Sequence, residues 1–150
     1  MRKRIVLGSD HAGYALKEHV KTTLAGEGHD VVDVGPQNEH SVDYPAYAAP
    51  AARLVAVGEA EAGVLVCGSG VGVSIVANKV GGVRAVNAHD PEEAALSRRH
   101  NDANVLALSG RRIESAAADR IVRAFLSTTF EGGRHERRVE QIRDVEAAVR

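Results

Sequence analysis

Short apolar runs recur along this chain, each closed by a glycine-containing or polar turn and followed by a stretch of helical length. Ile5 to Leu7 ends in Gly8-Ser-Asp-His-Ala-Gly13. Val31-Val32 with Val34 stops at Gly35-Pro36. Val64 to Val66 ends at Cys67, Val83 to Val86 leads into Asn87, and Val105 to Leu108 ends in Ser109-Gly-Arg111. Such short apolar runs fit strands covered on both faces, and helices are the connections that parallel neighbours need. The pattern predicts an α/β chain with a five-stranded, parallel, doubly wound sheet. In such sheets ligands bind beyond the carboxyl ends of the strands. Asp10, Cys67, Gly68, Asn87 and Arg111 stand at or just past those ends and should share one edge.

The connecting segments carry their own signals. Tyr14, Leu16, Val20 and Leu24 supply the apolar positions of a first helix, closed by Gly26 and Gly28. Tyr44-Pro45 opens an alanine-rich helix to about Val57, which Pro50 would kink or interrupt. Ser74 to Lys79 reads as the start of a third helix. Asp90-Pro-Glu-Glu93 is a strong start for a fourth, with a cap, a proline in the first turn and acidic residues against the helix dipole. A fifth spans Glu114 to Ser127. After Glu131-Gly132-Gly133 the pattern changes. Arg134 to Arg150 is a charged helix with a thin stripe of Val139, Ile142, Val145 and Val149, too narrow for a core helix. Docking on a second copy is favoured over the chain's own surface. Residues 1–150 are expected to form one domain, with about 134–149 as its dimerisation helix.

Composition narrows the partners. A net charge of −1 and 3% aromatic residues give no electrostatic or stacking basis for nucleic acid. No apolar run is long enough to span a bilayer. Behind the basic start Met1 to Arg4, Ile5 to Leu7 is too short for the core of a secretory leader, so a soluble, cytoplasmic protein is expected. One cysteine excludes an internal disulfide framework, and the seven histidines lack ligand spacing, so no metal is expected.

The chemistry concentrates in Cys67-Gly-Ser-Gly-Val-Gly72. Strand, glycine turn and helix N-terminus together hold a small anion, because backbone N–H groups approach it and the helix adds partial positive charge. A lone cysteine is as often a small hydrophobe. Here the turn tips Cys67 toward function, since those amides would favour a thiolate. The glycines do not follow dinucleotide spacing, because position 73 is Val, and no Gly-Lys-Ser/Thr is present. Asp10 could simply cap a helix. Among the histidines, His11 follows a strand end, and His100 ends a helix beside Asn101 and Asp102. His19, His29, His40, His89 and His135 receive no role. Arg134 and Arg138 are four apart on one helix face and could grip a phosphate, with Arg111 joining from its strand end.

These motifs resemble ribose-5-phosphate isomerase type B, a family that includes the galactose-6-phosphate isomerase subunits. The resemblance rests on Gly8-Ser-Asp-His-Ala-Gly13, Asp43-Tyr-Pro45, Cys67 to Gly72, Ala77-Asn-Lys79, Leu96 to Asp102 and Gly132-Gly-Arg-His135, and it covers essentially the whole chain. It implies a Rossmann-like three-layer α/β/α sandwich, a homodimer or dimer of dimers with shared active sites, and no metal or organic cofactor. It also implies roles. Cys67 looks like the base that moves a proton between C1 and C2 of the open-chain sugar. Gly68 and the Ser69-Gly70-Val71-Gly72 amides look like the cradle for the enediolate. His100 looks like the ring-opening group, reaching in from the other subunit. Asp10 and His11 match a substrate-binding pair, Asn101 lies beside the sugar, and Arg111, Arg134 and Arg138 match phosphate contacts. Tyr44 lines the pocket, with Asp43 in support. One branch uses glutamate where this chain has Val73, so the chain resembles the thiol branch.

The resemblance leaves the sugar open. Isomerisation of allose 6-phosphate, galactose 6-phosphate or a tetrulose 4-phosphate is the near alternative, and Asn87 to Asp90 is where sugar length would be tuned. A non-catalytic sugar-phosphate-binding module is the distant one. It would keep the glycine turn without needing Cys67 or His100.

Overall fold

Side chains along a strand alternate between the two faces of a sheet, and the central strands here are apolar on both. In the computed structural model, which describes residues 1–149, the strands are β1 (Arg4–Ser9), β2 (Asp30–Asp33), β3 (Ala62–Cys67), β4 (Ala85–Asn87) and β5 (Val105–Ser109). The helices are α1 (Tyr14–Gly26), α2 (Pro45–Ala56), α3 (Val71–Asn78), α4 (Pro91–Asn101), α5 (Ser115–Ser127) and α6 (Arg134–Ala148). Ile5, Leu7, Val64, Val66, Leu106 and Leu108 pack on one side against Leu16, Val20, Ile121 and Phe125 from α1 and α5. Val6, Leu65, Cys67, Val105 and Ala107 pack on the other against Ala52, Val55, Val73 and Ala77 from α2 and α3. This is the expected Rossmann-like α/β/α sandwich.

All strand pairs are parallel, in the order β2-β1-β3-β5-β4. From β1 the chain turns one way to β2 and the other way to β3. That reversal opens a crevice beyond the carboxyl ends of β1 and β3, where ligands of open α/β sheets bind. The register sets Ser9 beside Val66 and Cys67 beside Ser109, so the turns after β1, β3 and β5 meet there.

Three expectations need correction. Helix α3 begins at Val71 rather than Ser74, because Gly70 takes a left-handed φ of 79° and lets the helix start inside the glycine turn. Pro50 does not interrupt α2. Helix α6 ends at Ala148, and the expected end at Arg150 lies outside the described residues. Part of its stripe does lie on the chain's own surface: Val139 is buried, together with His135 outside the stripe, whereas Ile142, Val145 and Val149 are exposed.

A buried ion pair fixes the rim beside β1. The Lys17 side chain is fully buried, and its Nζ donates to both carboxylate oxygens of Asp33 at 2.9 Å and to the Pro36 carbonyl at 3.0 Å. Gly35, whose φ of 106° is left-handed, donates its N–H to Asp33 Oδ1, and Ser9 N–H donates to the Gly35 carbonyl. The end of β2 is thereby tied to the end of β1. Burial pushes the Asp33 carboxyl up, but hydrogen bonds from Lys17, Lys21 and the Gly35 N–H outweigh it and hold the group below its usual range.

Removing one partner of a buried pair leaves the other charge uncompensated. Lys17→Ala should therefore lower the unfolding free energy by about 3–5 kcal/mol, read by urea denaturation. Because the Asp33 pKa is lowered by folding, its contribution is complete above the unfolded value of about 3.9 and is lost as pH falls through the folded value. Acid titration of stability should show a loss below about pH 4 that shrinks in Lys17→Ala.

Candidate active site

The site is built on the step from β3 to α3. Cys67 is the last residue of β3, is 4% exposed and faces the α2–α3 layer. Its Sγ accepts a hydrogen bond from the Gly70 N–H at 3.2 Å. The turn that makes this possible admits no side chain at 70: a Cβ there would lie 2.4 Å from Asn87 Oδ1 and 3.0 Å from the Leu108 carbonyl carbon, on a backbone already at φ 79°. Asn87 Nδ2 donates to the Ser69 carbonyl at 3.3 Å, and the Val71 N–H donates to Ser69 Oγ at 3.1 Å. Among the described residues, the N–H groups of Ser69, Gly72 and Val73 have no protein acceptor. They are the free donors at the positive end of α3.

Other elements bring their ends to the same edge. The Tyr44 ring lies against Gly72, where a Cβ would come within 2.7 Å of it. Tyr44 is held there as the residue before α2, and the Asp43 carbonyl accepts the Ala46 N–H at the start of that helix. The Arg111 guanidinium covers Gly68, 3.0 Å from the position a Cβ would take. Asp10 is nearly buried, and its Oδ1 accepts the Gly13 N–H at 3.0 Å, so one carboxylate oxygen does cap the turn. His11 Nδ1 accepts the Val42 N–H at 3.2 Å, which pins the polar loop before Tyr44 across the crevice. The carboxyl edge thus collects Asp10, His11, Tyr44, Cys67, Gly68, Ser69, Gly70, Val71, Gly72 and Arg111.

His100, Asn101, Arg134 and Arg138 do not join them within one chain. Helix α4 runs antiparallel to the strands, so its last residues come to the amino edge of the sheet. There the Asn101 and Asp102 carbonyls accept from the Arg84 guanidinium, just ahead of β4, and the Asn104 carbonyl accepts the Gly63 N–H. The length of a strand, roughly 15 Å, separates the two edges. The joint phosphate grip of Arg111 with Arg134 and Arg138 is therefore not formed inside a single chain. Arg134 and Arg138 stand exposed on one face of α6, beside the His100 ring, which stacks on His135 with centroids 4.3 Å apart and planes 10° apart. His135, for which the sequence predicts no role, is buried. The available signal was its place four residues before Val139 on the same face of α6.

Donor atoms of His100, Glu131 and His135 lie within 4.8 Å of one another. Their arrangement does not suit a metal. Ring lone pairs lie in the ring planes, and two rings stacked with centroids 4.3 Å apart and planes 10° apart leave no point close to both planes for one ion to occupy.

With this geometry established, comparison with known proteins is decisive. Residues 5–142 match the Ribose/Galactose Isomerase family. The chain belongs to that family. It is 46% identical over 144 residues to ribose-5-phosphate isomerase B of Escherichia coli, covering 96% of this chain and 97% of that one. The structure of Clostridium thermocellum ribose-5-phosphate isomerase B superposes with a TM-score of 0.97 at 42% identity, covering 98% of this chain and 99% of the other. That of the Mycoplasma genitalium enzyme with bound ribulose 5-phosphate gives 0.92 at 41% identity, covering 96% of each. The protein is accordingly a sugar-phosphate isomerase of this family. Among the described residues, no helix is long and apolar enough to cross a membrane.

The turn itself can be tested. Gly70→Ala should destabilise the protein by about 2 kcal/mol or more, since a left-handed Ala alone costs roughly 1–2 kcal/mol and the Asn87 contact adds to it. Urea denaturation reads the loss, and a faster reaction of Cys67 with iodoacetamide would report the turn opening around the sulfur.

Proposed function

We propose that the chain interconverts ribose 5-phosphate and ribulose 5-phosphate through an enediolate. The observation that carries this reading is a sulfur at the mouth of α3 with the free N–H groups of Ser69, Gly72 and Val73 beside it. Aldose–ketose exchange needs a proton removed from carbon next to a carbonyl, and the oxygen charge that develops must be met by donors already in place. In the aldose direction the Cys67 thiolate takes the C2 proton, the electron pair moves to form C1=C2, and the carbonyl oxygen becomes the enediolate oxygen facing the turn. Return of the proton to C1, with transfer of the O2 proton to O1, gives the ketose. Ser69 Oγ sits where it can exchange its bond from the Val71 N–H for one to the substrate. Asp10 and His11 hold the sugar hydroxyls, and Tyr44 closes the side wall over Gly72.

The remaining groups act from a second copy. Ribose 5-phosphate closes a furanose, which must open before the carbonyl exists. In our reading His100 gives a proton to the ring oxygen O4 as the C1–O4 bond breaks and O1–H loses its proton, with Asn101 alongside. Arg134 and Arg138 take the phosphate opposite Arg111, orienting the sugar for proton transfer. Helix α3 supports such an arrangement. It runs from the Cys67 turn at the carboxyl edge to Lys79 at the amino edge, with Val71 and Ile75 exposed along it. A groove of about 940 Å³ beside its far end is lined by Lys79, Val80, Arg84, Ile142 and Val145. Two copies meeting through the exposed apolar residues of α3 and α6 would set the amino edge of one against the carboxyl edge of the other. The whole chain then acts as one isomerase domain, with α6 docked on the partner and no cofactor.

Allose 6-phosphate, galactose 6-phosphate or a tetrulose 4-phosphate would use the same chemistry, and chain length would be read by the segment from Asn87 to Asp90. Ranking kcat/KM of the chelator-treated enzyme on ribose 5-phosphate, allose 6-phosphate, galactose 6-phosphate and erythrose 4-phosphate should place ribose 5-phosphate first. No turnover of any would favour a binding module instead. Cys67→Ala should abolish isomerisation while leaving sugar-phosphate binding intact, and Arg138→Ala should raise KM more than it lowers kcat. The shared site has its own test. Cys67→Ala and His100→Ala, each inactive alone, should regain about one quarter of wild-type activity when dissociated, mixed and reassociated, because half the dimers are mixed and each holds one intact site. A mixture as inactive as its components would place both groups in one chain's site.

A further inference from the structure

His100 and His135 form a stacked pair where α6 meets the end of α4. His135 is 6% exposed, whereas His100 at the end of α4 is only partly covered. The two rings lie 4.3 Å apart at 10°, so the half-buried ring rests flat on the buried one. Two further contacts fix the buried ring. The Arg134 Nε–H donates to His135 Nε2 at 3.4 Å, which requires that nitrogen to be unprotonated and places the ring proton on Nδ1. Glu131, whose carboxylate lies 3.6 Å from the same nitrogen, is itself tied to the end of α4 by its N–H bond to the Arg99 carbonyl. Burial, His100 and the guanidinium groups of Arg134 and Arg138 all push the His135 imidazolium toward losing its proton, with only Glu131 opposing. A neutral ring is therefore what His100 stacks on, and a second positive charge is kept away from it.

We propose that His135 is a positioning residue that holds the His100 imidazole flat and in one orientation for opening the sugar ring. This rests on the reading of His100 as the ring-opening group. Without the stack, the His100 side chain would gain rotamer freedom at the exposed end of α4, and loss of orientation of about 1 Å in a proton-transfer group lowers rates by as much as about 100-fold. The flat aromatic surface carries the effect, so a residue with a ring but no titratable nitrogen should preserve it.

The test separates ring opening from proton transfer at carbon. Ribose 5-phosphate must be opened. Ribulose 5-phosphate carries its phosphate on the only hydroxyl that could close a five-membered ring, so exchange of its C1 proton with deuterated water reads Cys67 chemistry alone. His135→Ala should lower kcat on ribose 5-phosphate by about 10- to 100-fold with KM changed less than about twofold, while C1 exchange into ribulose 5-phosphate continues at close to the wild-type rate. His135→Phe should recover most of the lost turnover. An unchanged kcat in His135→Ala, a rise in KM without loss of kcat, or exchange and turnover falling together in both variants would each overturn the proposal. The last pattern would make His135 a general support of the fold. His100→Ala run alongside keeps the two readings apart: full turnover there removes His100 from ring opening, whatever His135 does.

Discussion

The direction of the strands governs everything else in this molecule. Because all five point the same way, every strand delivers its last residue to one edge, and each of the helices α1 to α5 returns to the other. Ser9, Cys67 and Ser109 end neighbouring strands, so three turns from distant parts of the chain meet without a loop long enough to need its own core. The same rule sends the ends of α3 and α4 to the amino edge. A group placed late on a helix cannot meet one placed late on a strand within the same chain. The division of the candidate residues into two sets is thus a consequence of parallel topology.

At the carboxyl edge the controlling feature is close approach of backbone. Gly13 sits so near β3 that a Cβ would lie 2.3 Å from the Val66 carbonyl oxygen, and Gly110 so near the turn before α1 that a Cβ would lie 2.8 Å from the Ala12 carbonyl oxygen. These contacts bring the turns after β1 and β5 onto the Cys67 turn. Side chains there would push the turns apart and open the crevice to water, where backbone N–H groups stabilise developing charge far less well than in a closed site. The absence of side chains at these positions is as much a part of the site as the sulfur.

Strand positions were legible because an apolar run between turn residues has few other uses, and the shared edge followed from them. Asp90 was legible as a cap because its side chain does accept the Glu93 N–H, at 2.8 Å. The start of α3 was missed because Val71-Gly72 has poor helix propensity. Packing of Gly72 under the Tyr44 ring, invisible in a local window, overrides it. Pro50 was misjudged for a similar reason: α2 buries Ala48, Ala51, Ala52 and Val55 around it, and that packing outweighs one lost hydrogen bond. His135 shared a helix face with Val139, but that spacing gave no sign of its use, which depends on a ring 35 positions away in sequence, brought near only when α6 crosses the end of α4.

The exposed stripe on α6 bears on how such a site could stay assembled. Val145 is 67% exposed and Val149, just past the last turn, 81%, on a helix otherwise anchored by His135, Val139 and the bond from Gly82 N–H to Glu146. A charged helix with so little buried surface gains little from its own chain. The residues that seat it, His135 and Val139, lie in its first half, next to His100. If a second copy covers the second half, as proposed, association and the fixing of His100 are driven by one and the same helix. Catalytic geometry at the amino edge would then depend on protein concentration in the way any dimer's stability does, while the Cys67 turn, built from a single chain's core, would not.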